Sequence, residues 1–500
     1  MPQARVVLDP AFTVGPVRQR TFGAFVEHLG RCVYTGIYQP GHAAADEDGF
    51  RGDVLELVKE LGATTIRYPG GNFVSAYRWE DGIGPKQDRP RRLDVAWHST
   101  EPNTFGLDEF MTWCRKAGVE PMMAVNLGTR GVLEAMDIVE YCNIPGGTKL
   151  SDQRRANGAE EPHQVKLWCL GNEMDGTWQI GHKTAHEYGR LAAETARAMR
   201  QISPDLELVA CGSSASRMPT FASWEYEVLS QTYDLVDYIS AHEYYWENDG
   251  DLQSFLASPV RMNDYIKAVA ATADAVRAAG KHHKRINISF DEWNVWHHPV
   301  EPSNHDGWPV APRLLEDQYT MADAVVVGGL LITLLANTDR VHCASLAQLV
   351  NVIAPIMTDP DGGAWRQTTF HPFSLTARNA RGTVLRPAIS SPTVATNDFG
   401  EVAALDLAAT HDAATGEIAL FAVNRSVEDD LPMTVDLSRF GDLRITEALT
   451  YTHDDPYWIP TATTAETVLP APNPSATIVG GELSATLPRV SWSMFKLTAA

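Results

Sequence analysis

Five hundred residues exceed what one ordinary hydrophobic core organises, so two domains are expected. Hydrophobic residues make up 44% and charged residues 21%, as in a soluble globular chain. The net charge of -22 argues against nucleic acid and anionic membrane as partners, because both require a basic face.

The chain begins MPQARVVLDPAF, without the charged segment and apolar stretch of a secretory leader. Within that start, ARVVLD (4–9) alternates like a strand. From about residue 20 to about 380, strand-like runs then alternate with helix-like runs. Strands are expected at 22–27, 64–68, 120–125, 165–170, 206–211, 238–244, 286–290 and 341–349. Helices are expected among them at 54–62, 107–118, 133–142, 185–202 and 266–280. Their apolar positions recur at three and four residues, and several close on a glycine suited to a C-cap. The longest apolar run, AVVVGGLLITLLA (324–336), is too short for a membrane span and reads as a buried helix.

Eight alternations predict an α/β fold, a (β/α)8 TIM barrel over 15–384. An open doubly wound sheet is the rival, but neither G-x-G-x-x-G after the first strand nor a P-loop is present. Beyond 385 the texture changes to short alternating runs at 402–407, 417–423, 433–437, 444–451 and 491–498. Turn clusters separate them, which predicts a C-terminal all-β sandwich domain over 385–500, joined by the N-terminal strand 1–14. Cys32, Cys114, Cys142, Cys169, Cys211 and Cys343 form no C-x-x-C pair and sit mostly in apolar patterns. They read as reduced core residues of a cytoplasmic protein.

In a barrel of this kind the chemistry stands at the C-terminal ends of the strands. The first strand ends in Glu27 and His28, the second in Arg67 followed by PGGN with Asn72, the third in Asn126. The fourth ends in Asn172-Glu173, the sixth in His242-Glu243-Tyr244, the seventh in Asp291-Glu292-Trp293-Asn294, the eighth near Gln348 and Asn351. A lone Glu173 reads as a capping or ion-pairing carboxylate. Paired with Glu292 across the barrel mouth, it supplies what glycoside hydrolysis needs, a proton donor and an attacking carboxylate. A retaining enzyme holds such a pair about 5 Å apart, and mutual repulsion keeps one of them protonated near neutral pH. Tyr244 can donate a hydrogen bond to Glu292. Trp97, Trp178, Trp296 and Trp308 fall in loops, where their ring faces can stack on sugar, whereas Trp113 and Trp168 read as core.

Over nearly its whole length the sequence resembles the α-L-arabinofuranosidases of glycoside hydrolase family 51. The resemblance rests on GAFVEHLGRCVYTGIY (23–38), IRYPGGNFVSAYRWEDGIGP (66–85), MAVNLGTRG (123–131), WCLGNEMDGTWQIGHKTA (168–185), SFDEWNVW (289–296) and LAQLVNVIAPI (346–356). It implies a retaining, exo-acting enzyme that releases terminal arabinofuranosyl groups from oligosaccharides by double displacement, without metal or other cofactor. Matched motif by motif, Glu173 is the acid/base and Glu292 the nucleophile. Glu27, Asn72 and Asn172 bind furanose hydroxyls, Tyr244 and Gln348 complete the pocket, and Arg67 lies beneath it with His242 in support. The resemblance also implies a homo-oligomer, often a hexamer. One departure is Glu243 where the family commonly carries glutamine; strand alternation turns it away from the face of His242 and Tyr244.

Three alternatives are weighed. A related retaining glycosidase, a β-xylosidase or an endoglucanase, would share the same pair. A non-catalytic sugar-binding protein would not need it. A metal hydrolase is suggested by His282-His283 and His297-His298, yet no H-E-x-x-H lies on a helix.

Overall fold

Eight short strands pair in parallel around a closed ring: β1 (Gly23–Phe25), β2 (Thr65–Tyr68), β3 (Glu120–Val125), β4 (Leu167–Leu170), β5 (Glu207–Ala210), β6 (Tyr238–Tyr245), β7 (Asn287–Val295) and β8 (Val341–Leu346). β8 returns to pair with β1. The structure, a computed structural model, describes residues 3–297 and 307–500. A helix follows every strand, from Gly52–Leu61 after β1 to Phe370–Asn379 after β8.

Alternation along the strands makes two apolar layers. Met122, Ala124, Leu167, Cys169, Val209 and Cys343 fill the barrel interior, while Met123, Val125, Trp168 and Leu170 pack outward in the layer shared with the helices. Trp113 and Trp168 are buried, as read from the sequence. Two of the glycine-closed helix ends hold, whereas the helix expected at 266–280 is Pro259–Gly280, closed by Lys281 in the left-handed conformation. Gly62 and Gly118 close their helices in the left-handed conformation, and Thr184 and Glu187 cap Ala185–Ile202 reciprocally.

Two sheets form the second layer system. The five-stranded sheet sets Ala4–Val7 between Ala388–Ser390 and Leu431–Asp436. The seven-stranded sheet includes Thr13–Pro16 and Thr383–Leu385. Both seams drawn from sequence, at 14/15 and 384/385, therefore cut strands of this sheet. The helix Met321–Ala336 is buried almost throughout, and the ring of Trp492, from the seven-stranded sheet, sits against its Gly328. Among the described residues no helix is long and apolar enough to cross a membrane. All six cysteines are buried and free.

Three C-terminal strand ends differ from expectation by two residues or more, and each moves a polar residue. β1 stops at Phe25 and β8 at Leu346, so Glu27 and Gln348 stand on the loops beyond them. β7 runs on to Val295, so Glu292 lies within the strand rather than at its end. Between Ser289 and Glu292 β7 carries one residue more than its neighbour β6, where Ser240 and His242 are the partners. This bulge lets both Asp291 and Glu292 face the barrel interior.

Candidate active site

Glu173 follows β4 by way of Gly171, whose φ is +90°, and is itself held at φ +45°. A non-glycine residue in the left-handed region stores strain that the surroundings must hold, a feature concentrated at functional sites. Its carboxylate accepts a hydrogen bond from the Trp178 indole at 2.7 Å and meets His242 Nδ1 at 2.9 Å. Glu292 accepts from Arg67 Nη1 at 2.7 Å on one oxygen and from the Tyr244 hydroxyl at 2.8 Å on the other. One oxygen of Glu173, one of Glu292 and a ring nitrogen of His242 all lie within 4.8 Å of one another.

The two carboxyls are biased in opposite directions. Burial, reinforced by the charge of Glu292, raises the Glu173 pKa, and its bonds from His242 and Trp178 only partly offset this. Burial works on Glu292 too, but there the charges of His242 and Arg67 and the bonds from Tyr244 and Arg67 win and hold it below the ordinary range. His242 is itself pushed up. Burial opposes its charge, and the carboxylates of Glu292 and Glu173 outweigh that.

Beneath the pair lies a buried layer. Arg67 Nη2 donates to Asn172 Oδ1 at 2.7 Å, its Nε lies 3.9 Å from Asp291, and its guanidinium covers the Phe25 ring. Asn172 Nδ2 donates to Gln179, which is fixed in turn by Ser75. To one side, Glu27 accepts from Phe73 N–H at 3.0 Å, Trp97 Nε1 at 2.9 Å and Gln348 Nε2 at 2.9 Å. Burial pushes the Glu27 carboxyl up to about 8, with its N–H donors pulling down and Glu292 adding to the rise.

Of the residues singled out from sequence, Arg67, Asn172, Glu173, His242, Tyr244, Glu292 and Trp178 thus form one linked cluster, closed by His242 Nδ1 3.6 Å from Glu292, and Glu27, Gln348 and Trp97 form a second beside it, with Gly71 between. Trp296 meets the Tyr244 ring edge-on at 5.3 Å. Asn72 is half-buried at the start of the turn Asn72–Ala76 beside Gly71. Other polar residues at the strand ends turn away. His28 bonds Glu101 and Tyr68, Asn126 ties its loop to Tyr77 and Thr129, and Asn294 and Asn351 bond main chain. Trp308 stacks on His98 at 3.8 Å. Glu243 points away from the pocket, as alternation requires, and binds Ser216 N–H and Arg217. His282 and His297 pair with Asp234 and Asp323; His298 lies outside the described residues.

Sequence reasoning missed three contributors. A Cβ on Gly71 would stand 3.1 Å from Glu292 Oε1 and 3.5 Å from Glu27 Oε2, so the pocket floor requires a glycine there. The double glycine of PGGN was the available signal. Gln179 and Ser75 left no signal, because a loop contact is invisible to periodicity; Asp291 was legible at its strand end, but the bulge that turns it under Arg67 was not.

A closed parallel barrel carrying two buried, oppositely biased carboxyls at the C-terminal rim defines a glycoside hydrolase. Family models for the "Alpha-L-arabinofuranosidase 1 domain" and the "Alpha-L-arabinofuranosidase C-terminal domain" match residues 57–265 and 291–491. The chain is 57% identical to an exo-α-(1→6)-L-arabinofuranosidase of Bifidobacterium longum, over 98% of this chain and 96% of that protein. It is also 57% identical to an intracellular exo-α-(1→5)-L-arabinofuranosidase of Streptomyces lividans, over 99% of this chain and 75% of that one. A solved family 51 α-L-arabinofuranosidase from Bifidobacterium longum superposes with a TM-score of 0.96 at 50% identity, covering 99% of each chain. The chain belongs to the α-L-arabinofuranosidases of glycoside hydrolase family 51.

Proposed function

We propose that the protein releases terminal non-reducing α-L-arabinofuranosyl groups from arabino- or arabinoxylo-oligosaccharides with retention, Glu173 acting as acid/base and Glu292 as nucleophile. The opposite bias of the two carboxyls carries this reading. Glu292, ionised, attacks the anomeric carbon. The glycosidic C–O bond breaks, and its electron pair leaves with the oxygen, which takes the proton of Glu173. Glu173, now a carboxylate, takes a proton from water as the water oxygen attacks the same carbon and displaces Glu292. Arg67 and Tyr244 hold the nucleophile ionised. Asn172, fixed by Arg67 and Gln179, and Glu27, Asn72 and Gln348 bind the furanose hydroxyls, with Trp97 bracing Glu27.

The first experiment is Glu173→Ala on an aryl α-L-arabinofuranoside. The aryl leaving group needs little acid help, so the glycosyl-enzyme forms and then stalls. Azide, which attacks the glycosyl-enzyme from the face the aryl group left, is expected to restore turnover and give an α-configured arabinosyl azide. An unaffected variant would reduce Glu173 to a structural carboxylate.

A metal hydrolase is the reading favoured by the spacing of Glu173, His242 and Glu292. Against it, Arg67 already places a fixed positive charge 2.7 Å from Glu292. Activity insensitive to a chelator is expected. The protein is further proposed to act in the cytoplasm as a homo-oligomer. Free buried cysteines and the intracellular naming of relatives support the first. Exposed Val7, Phe12 and Ile389 beside the edge strand Ala388–Ser390 support the second, which light scattering tests.

A further inference from the structure

Glu243 is a charged group with a cost. It is 1% exposed on β6, between His242 and Tyr244 but facing the other way. Burying a carboxylate is expensive unless its partners compensate. Both partners lie on one loop: Ser216 N–H donates at 2.8 Å and Arg217 Nη1 at 2.9 Å. The same loop is tied on its other side to Asp175, two residues beyond Glu173, through the Ser214 N–H at 3.1 Å and the Ser214 hydroxyl. The loop is thus clamped between the acid/base segment and β6.

The side chain this clamp presents outward is Arg217. Its guanidinium lies 4.8 Å from the centroid of the Trp246 ring, just past the end of β6, and its side chain is 52% exposed although one nitrogen reaches the buried Glu243. Two partners therefore hold the guanidinium, a carboxylate on one nitrogen and an indole ring beside it, while the side chain stays half-exposed. Glu243 neutralises its charge. A flat, neutralised fork of donors on an aromatic face suits the vicinal hydroxyls of a neutral sugar. The acid/base must face the leaving oxygen, so the Glu173 side of the rim is where the leaving-group sugars lie. Trp178, 51% exposed and bonded to Glu173, stands on that side too.

We propose that Arg217, anchored by Glu243 and laid on Trp246, forms a leaving-group subsite that hydrogen-bonds neutral sugar units, with Glu243 as its positioning residue. This rests on the arabinofuranosidase reading above. The test is kcat/KM for arabinotriose and for an aryl α-L-arabinofuranoside, in wild type, Arg217→Ala, Arg217→Lys and Glu243→Gln. The arabinotriose-to-aryl ratio is expected to fall about tenfold in Arg217→Ala, the size of a lost charge-assisted hydrogen bond, and the fall should sit in KM. Lysine, which keeps the charge but not the fork, should restore only part of the ratio, and Glu243→Gln should lower it in the same direction. If Glu243→Gln does not fold, the half-exposed Arg217 variants still decide the matter. An active enzyme in which Arg217→Ala leaves the ratio as it was overturns the subsite alone. A wild type that hydrolyses neither substrate overturns the arabinofuranosidase reading and the subsite with it.

Discussion

Glu173 and Glu292 are the same residue type in similarly buried positions, so their difference must come from what donates to each. Glu292 is flanked by a guanidinium and a phenol, Glu173 by an imidazole and an indole. Activity needs Glu292 ionised and Glu173 protonated, so kcat/KM should follow a bell in pH. Its acid limb reports the pair taking a proton at the nucleophile, its alkaline limb the pair losing one at the acid. Trp178→Phe removes a donor that stabilises the ionised form of Glu173. The Glu173 pKa then rises further, and the alkaline limb should move to higher pH; a limb that stayed or moved down would sink this assignment. Tyr244→Phe removes a donor that stabilises ionised Glu292. The acid limb should move up in pH, with kcat/KM on an aryl arabinofuranoside falling about ten- to a hundredfold. Equal activity in the two enzymes would mean that Arg67 and His242 suffice to hold the nucleophile.

The elements were legible where the sequence repeats a physical pattern, and illegible where geometry overrides it. Ala185–Ile202 was readable to the residue because three- and four-residue apolar spacing, a Thr184 cap and a long run agree. The strand bodies were readable as short apolar runs, and since barrel chemistry stands at strand ends, most of the pocket was readable with them. The roles assigned within it came from the family resemblance, not from spacing. What escaped was the bulge in β7, which puts Asp291 and Glu292 on one face where alternation would separate them. The tight turn at Gly71 escaped as well. Gly71 sits at φ -85° and ψ -97°, below the helical basin that residues with a side chain prefer, so Gly71→Ala should strain the turn by about 1–3 kcal/mol while leaving the fold formed. The added methyl would press on the nucleophile and on Glu27 from 3.1 and 3.5 Å. The expected outcome is a modestly lowered melting temperature with a raised KM and a lowered kcat. A variant with wild-type kinetics would show that the turn has room to shift.

Across the whole molecule the barrel helices share one core with one face of the seven-stranded sheet, while the space between the two sheets has a core of its own. Buried residues run without a break from the barrel helices through Leu330 and Leu334 of Met321–Ala336 to Phe421, Trp492 and Met494 of the seven-stranded sheet. The fit is close at Gly328, where a Cβ would lie 2.2 Å from Trp492 Cδ1. The helix that closes the barrel between β7 and β8 is therefore also the floor of the sandwich, and neither side can lose it alone. Calorimetry of the wild type should show one unfolding transition, with arabinofuranosidase activity lost over the same temperatures. Trp492→Ala would empty the contact and cost about 3–5 kcal/mol, as large aromatic truncations in cores do. Because the cavity opens in a shared core, the single transition should move down whole rather than split. A sandwich transition preceding a barrel that stays active would show that the catalytic layer stands without its partner, and that the common core couples them only in packing.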